Sequence, residues 1–342
     1  MLLPQPRGPI SHGVVRLLKD DRDEPAALTG GDEGDLQDDD LQLALWMLFE
    51  LHYRGFADVP AGREWDLDLL RLRAELQERL EQELRSRTAT AVAEALTVPE
   101  ADFPERLTAL IDAADGPSVA AYLQRDATRD QVVDFMRQRS IYHLKESDPY
   151  SFVLPRLEGA PKTALAELQY DEYGAGLPHR LHQTMFGDAL EGCGLDREYG
   201  AYIDQASALT LATSNVASLF ALQRRLRGAA LGHFAAFEST SSVPCRKIAR
   251  GIRRVGLPDV VAAYFDEHVE ADAVHEQVAV RHICGALVEQ EPALAEDVLF
   301  GAAACLAVDA LAGERLLASW ASSDSPQGES SLTRAAASPT SG

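Results

Sequence analysis

The chain is poor in the residues that build disulfide or zinc frameworks. Its four cysteines, Cys193, Cys245, Cys284 and Cys305, stand far apart and never form a Cys-x-x-Cys pair. That spacing excludes a zinc ribbon or an iron–sulfur motif and argues against a disulfide scaffold, so reduced, mostly buried thiols in a cytoplasmic protein are expected. Bases are scarce as well, with 32 Lys and Arg against 54 Asp and Glu and a formal net charge of −22. No stretch concentrates Lys and Arg as phosphate recognition requires, so a nucleic-acid partner is not expected. No run approaches the roughly 18 apolar residues of a membrane span. The opening segment MLLPQPRGPISHG is broken by prolines and lacks an apolar h-region, so it does not read as a signal peptide. Alternation of β-branched residues is nowhere sustained, and no internal repeat is visible.

What is present is helical periodicity. Residues 1–39 are rich in Gly, Pro and Asp and read as a partly disordered lead. Apolar helical spacing begins at Leu41–His52 and continues, strongly charged, through Asp66–Ala91. A third helix is expected over Thr128–Lys145, then a Pro-broken loop over 148–161. Four further helices follow at roughly 162–192, 197–223, 225–255 and 258–289, and another at 292–320. Residues 322–342 are Ser, Ala, Pro and Gly in the main and read as a disordered tail. The length of 342 residues suits one large helical domain over 40–321 or two smaller ones sharing a core. The expected class is all-α.

Within the 258–289 helix, His268, Asp272 and His275 recur at i, i+4 and i+7. At about 100° per residue they share an arc of about 60° on one face. A core-facing stripe is normally Leu, Val or Ala; a column of polar atoms is tolerated there only when something satisfies it. Two imidazoles flanking a carboxylate make half a site for a first-row transition metal, most naturally iron. Other helices must supply the rest. Glu238 is the only acid between Asp204 and Asp259, in an Ala-rich apolar segment that also holds His233. It is either a solvent-facing acid or a ligand. The stretch AELQYDEYGAGLPHRLHQTMF offers Glu167, Asp171, Glu172, His179 and His182, and the break from Gly174 to Pro178 can re-aim one side chain relative to the next. A ferritin-like code is excluded: of the nine histidines, His275 alone has a carboxylate three places before it.

Taken together, Glu172…His182, Glu238 and His268-x3-Asp272-x2-His275 resemble the haem-oxygenase-like diiron oxidase and oxygenase superfamily, whose actinobacterial members are labelled iron-containing redox enzymes. LHYRGF (51–56), KESDPYSFVLPRL (145–157), DEYGAGLPHRLH (171–182) and RLRGAALGHFAAFESTSS (225–242) carry the same likeness over about residues 40–320. The resemblance implies a haem-oxygenase-like helical bundle with additional N-terminal helices. It implies Glu172, His182, Glu238, His268, Asp272 and His275 as metal ligands, and Glu146 as a seventh of the kind found in the N-oxygenating branch. Glu146 otherwise reads as a helix-end acid.

Four carboxylates at −1 each would balance two Fe(II), leaving a nearly neutral centre that a core can hold. The expected cofactors are therefore two iron ions, with O2 as cosubstrate and an external reductant of unknown identity. The expected activity is oxidation of a small amine or amino acid at nitrogen, in natural-product biosynthesis. The alternative is oxidation at carbon, by desaturation or C–C cleavage of an amino or fatty acid. Asp171, Tyr173, His179, Tyr202 and His233 are candidates for a supporting shell. Arg156, Tyr202 and Arg246 are candidate substrate contacts, although both arginines read better as surface or interhelical ion pairs. A small-molecule substrate is the partner expected, and a homodimer stays open. Two other classes stay open too: a haem oxygenase with one axial histidine, which a Soret band would reveal, and a metal-free helical scaffold.

Overall fold

The structure, a computed structural model, describes residues 1–20, 34–98 and 102–323, with the side chains of 270–274 and 323 excluded. Among these residues there are helices and no strand. In chain order the α-helices are α1 (Pro9–Leu18), α2 (Asp39–Glu50), α3 (Leu67–Leu96), α4 (Phe103–Asp112) and α5 (Val119–Arg125). Next come α6 (Arg129–His143), α7 (Asp148–Ser151), α8 (Gly159–Glu172), α9 (His182–Gly192) and α10 (Ala208–Leu222). The last are α11 (Arg227–Ser239), α12 (Ser242–Arg254), α13 (Asp259–Gln277), α14 (Ala286–Gln290) and α15 (Ala295–Ser323). A π-helical stretch, Val278–Gly285, joins α13 to α14.

Local chemistry accounts for the boundaries. Asp38 caps α2, Asp66 caps α3, and Thr128 with Gln131 forms a capping box on α6. One helix expected over 225–255 is instead two. Thr240 Oγ1 takes the Ala236 carbonyl (2.7 Å) and Ser241 Oγ takes that of Phe237 (2.6 Å), so hydroxyls occupy the acceptors at the end of α11. The 162–192 expectation also divides, at residues 173–181. The 197–223 helix begins only at Ala208, where Ser207 accepts from the Thr210 N–H. Two short helical turns lie inside the expected 148–161 loop.

The lead expected over residues 1–39 is partly a core element. Ile10, Val14 and Leu18 of α1 are fully buried. The first helical N–H groups of α1 lack a cap of their own, and the Asp40 carboxylate of α2 accepts from Ile10 N and Ser11 N at 2.7 Å. A leading segment with no long apolar run thus docks through three buried apolar side chains and through borrowed carboxylates, Asp40 at the start of α1 and Asp58 and Asp204 at Leu3 N and Gln5 N. Residues 21–33 and 324–342, which the expected lead and tail include, lie outside the described residues.

Helices α11 and α15 cross unusually close. A Cβ on Gly232 would run into the Val298 carbonyl, and one on Gly301 into that of Ala229. These paired glycines set the depth of α11 and of the Glu238 it carries. No helix among the described residues is long and apolar enough to cross a membrane.

Beneath α2, Lys145 Nζ sits 2.8 Å from Glu50 Oε2, with side-chain exposures of 2% and 0%. Tyr199 Oη also donates to Glu50 (2.9 Å), and Lys145 lies over the Tyr53 ring at 4.3 Å. Breaking such a pair leaves a buried charge without its partner, at a cost of about 3–5 kcal/mol. Lys145→Met should lose about that much by urea unfolding, and the double change Lys145→Met/Glu50→Leu should regain most of it. Equal losses in the two proteins would show that packing, not charge pairing, sets the cost.

Candidate metal centre

Four irregular points in the helical frame aim side chains at one spot. Glu146 lies in the turn between α6 and α7. Glu172 is the last residue of α8 and His182 the first of α9. The connection between them has left-handed backbone at Gly174 (φ 71°), Ala175 (φ 52°) and Gly176 (φ 79°). A Cβ on Gly174 would collide with the backbone of Arg180 and Leu181. The loop can therefore fold back tightly enough to return His182 beside Glu172 only with glycine there. Glu238 comes from the end of α11, and His268 and His275 from α13.

The convergence is close. Glu146, Glu172, His182 and His268 each offer one ligand atom to a buried group within 4.8 Å of one another, and so do Glu172, Glu238 and His275. Glu172 belongs to both groups. His182 Nδ1 lies 3.0 Å from Glu172 Oε2, and His275 Nδ1 lies 3.7 Å from Glu172 Oε1 and 3.3 Å from Glu238 Oε2. His268 Nδ1 meets the Tyr264 carbonyl oxygen at 2.8 Å, which can only accept. Nδ1 thus carries a proton, and Nε2 faces inward, 3.7 Å from Glu146 Oε1. The Asp272 side chain lies outside the described residues.

Electrostatics gives the cluster its character. Among the described residues no Lys or Arg pairs with Glu146, Glu172 or Glu238; histidines are their ionic neighbours. Burial pushes the Glu146 carboxyl up, but His143 and His268 outweigh it and hold the group well below the usual range. Burial likewise opposes His182 at Glu172, where the histidine prevails and the carboxyl is lowered. At Glu238 burial wins, with Glu172 adding to it against His275, and the carboxyl is raised. Three carboxylates crowded in a core without a fixed cation, beside inward-facing imidazole nitrogen, fit a pair of divalent first-row metal ions. Oxygen and nitrogen donors in this mixture suit iron.

The supporting residues are only partly those expected. His233 Nδ1 is hydrogen-bonded to Tyr150 Oη at 2.8 Å, and burial lowers its pKa to about 4. Asp171 Oδ2 is 3.5 Å from His275 Nε2 at the exposed edge. Tyr173 bonds Ser151 and Asp148 instead, and His179 is exposed in the loop. The three expected substrate contacts stand apart from the cluster. Arg156 donates to the Ala221 and Leu222 carbonyls and so closes the end of α10. Tyr202 Oη accepts from Asp196 N at 2.6 Å, and Arg246 is exposed on α12.

Two residues that sequence reading missed matter more. His143 Nδ1 is 2.6 Å from Glu146 Oε2, and Tyr264 Oη donates to both Glu146 oxygens at 2.9 and 3.0 Å. Searching for a carboxylate three places after each histidine, as well as before, would have found His143-x-x-Glu146.

Residues 133–310, a little over half of the chain and all of the cluster, match the family model described as iron-containing redox enzyme, of haem-oxygenase type. The protein belongs to this family. Within the iron-containing redox enzymes it is similar to a nitrosourea synthase from Streptomyces achromogenes subsp. streptozoticus, at 27% identity over 146 residues. That alignment covers 43% of this chain and 31% of the relative, so the match spans about a third of the curated protein's length. Two crystal structures of a CADD-like protein of unknown function from Nostoc punctiforme PCC 73102 are similar at 16% identity. Their TM-scores are 0.47 and 0.46, covering 71% and 72% of this chain and 97% of theirs.

The shared Glu172 makes the effect of each ligand specific. Under anaerobic Fe(II) titration, Glu172→Ala should bind less iron than either Glu238→Ala or His182→Ala, because it alone serves both groups. Each of the latter should lose about one equivalent, with helicity by circular dichroism unchanged. Full iron binding by Glu172→Ala would end the shared-ligand assignment.

Proposed function

We propose that this protein is a non-haem diiron oxygenase that uses O2 to oxidise a small amine or amino acid at nitrogen. The observation that carries the reading is the pair of buried donor groups joined through Glu172. Glu146, His182 and His268 would complete one metal's ligands, Glu238 and His275 the other's, with Asp272 the seventh ligand that the sequence likeness suggests. Bound iron would supply the binding and reduction of dioxygen. One oxygen atom goes to the substrate and the other leaves as water, so each turnover takes two electrons from an external reductant and two protons.

The chain's own groups set the conditions. The Tyr264 carbonyl fixes the His268 tautomer, and Tyr264 Oη with His143 holds Glu146 in one orientation. A small cavity beside the cluster, about 10 Å3, is lined by Tyr142, Tyr150, Phe234 and Phe237. It has room for about one water-sized molecule between these aromatic rings and Glu146, Glu172, Glu238 and His268.

Reaction at nitrogen rather than carbon is supported by Glu146, an additional anionic donor within the cluster, which adds electron density to the metals. It is supported also by the likeness to an enzyme whose name says that it makes a nitrosourea. A nitrogen lone pair accepts oxygen without cleavage of a strong C–H bond. Amines that accelerate oxygen uptake by the Fe(II)-loaded protein should therefore react at the same rate when deuterated at carbon. Glu146→Ala should abolish the N-oxygenated product while keeping most of its bound iron. A primary deuterium effect would move the reading to desaturation or C–C cleavage.

A further inference from the structure

A second, larger cavity adjoins the first. It has a volume of about 330 Å3, within the range of small-molecule sites. Phe237 and Ser241 line both spaces, so the two share a wall. At its inner end lies His143, which is hydrogen-bonded to Glu146; Phe135, Ile248 and Phe265 make its sides apolar. At its outer end are Arg139 and Asp309, side-chain exposures 28% and 58%, joined by an Arg139 Nη2–Asp309 Oδ1 bond of 3.1 Å. Arg139 and His143 are one turn apart on α6, about 6 Å along the axis.

Arg139 is only partly used. Its Nη2 donates to Asp309, and its guanidinium lies 5.6 Å from the Phe135 ring centroid, which steadies it. Among the described residues it has no other acceptor, which leaves one side of a planar fork open to the cavity. Such a fork matches a carboxylate. Asp309 beside it disfavours a lone anion and favours a molecule that also carries an ammonium group next to its carboxylate.

We infer that this chamber is the substrate site and that it takes an α-amino acid head first. The carboxylate sits on Arg139, the ammonium faces Asp309, and an unbranched side chain of about five atoms runs past Phe237 toward the cluster. The inference rests on the diiron reading for what happens at the inner end, and it places oxidation at the side-chain terminus rather than at the α-carbon. Arg139 takes the role that sequence reading offered to Arg156 and Arg246.

Cys245 lines the chamber and is half-buried, which gives a readout independent of iron and of turnover. Its alkylation by iodoacetamide, followed by peptide mass spectrometry, is measured with and without L-norleucine. That probe carries the head group and body but no side-chain nitrogen. Hexanoate lacks the ammonium, and pentylamine lacks the carboxylate. L-Norleucine should slow Cys245 alkylation saturably, while Cys193, which does not line the chamber, shows no dependence. Hexanoate and pentylamine should each protect with roughly tenfold weaker apparent affinity or less. Arg139→Gln should lose the norleucine protection, and Arg139→Lys should recover part of it. Equal protection by either truncated probe, no protection by norleucine, or full protection in Arg139→Gln would overturn the assignment. Should the variant fail to fold, the three probes on the wild-type protein decide alone. A protein that shows the protection but takes up no iron would keep the chamber and lose the diiron reading.

Discussion

Three carboxylates packed together in an apolar interior are the constraint around which this molecule is arranged. Like charges in a medium of low polarity repel strongly, and no Lys or Arg among the described residues answers them at the cluster. The chain resolves this with His143 and the Tyr264 hydroxyl on Glu146, the Ser147 hydroxyl on Glu172, and a donor arrangement that bound metal would neutralise. Four helices and one turn make the convergence. Helix ends deliver Glu172 and His182, a turn delivers Glu146, and α13 runs two histidines along one face. Regular helix alone could not bring these together, since its side chains diverge around the axis. The breaks are as much part of the site as the donor side chains.

Most of the architecture was legible because it rests on periodicity and capping. The all-α class followed from helical spacing and from the lack of alternation. The placement of His268 and His275 on one face of α13 was legible because helical geometry converts sequence spacing directly into a shared face, while the Asp272 side chain lies outside the described residues. The convergence of Glu146, Glu172 and Glu238 was not derivable from spacing, because it depends on how separate helices pack; the family likeness supplied it. Helix boundaries were harder. The ends of α11 and α8 are set by Thr240 and Ser241 hydroxyls and by left-handed glycine, signals that are weak beside an uninterrupted apolar pattern.

Tertiary information was least accessible where a residue acts on a distant partner. Arg156 looked like an anion receptor, yet it binds the carbonyls that end α10. Tyr264 drew no expectation from the sequence, yet its hydroxyl reaches Glu146, 118 positions away. The docking of α1 depends likewise on an acid thirty positions downstream. No periodicity encodes such pairs.

The tripeptide Lys145-Glu146-Ser147 has a consequence for how the molecule divides. Its three side chains have three separate tasks: Lys145 reaches Glu50 on α2, Glu146 enters the cluster, and Ser147 Oγ donates to Glu172 of the same cluster at 2.9 Å. The segment is a junction with no spare residue, and a single insertion would turn all three at once. It also ties the helices before residue 133 to the span that holds the donor cluster. Cut free of α2, residues 133–310 would leave Lys145 without its buried partner directly beside Glu146, so the span that matches the family model leans on a helix outside it.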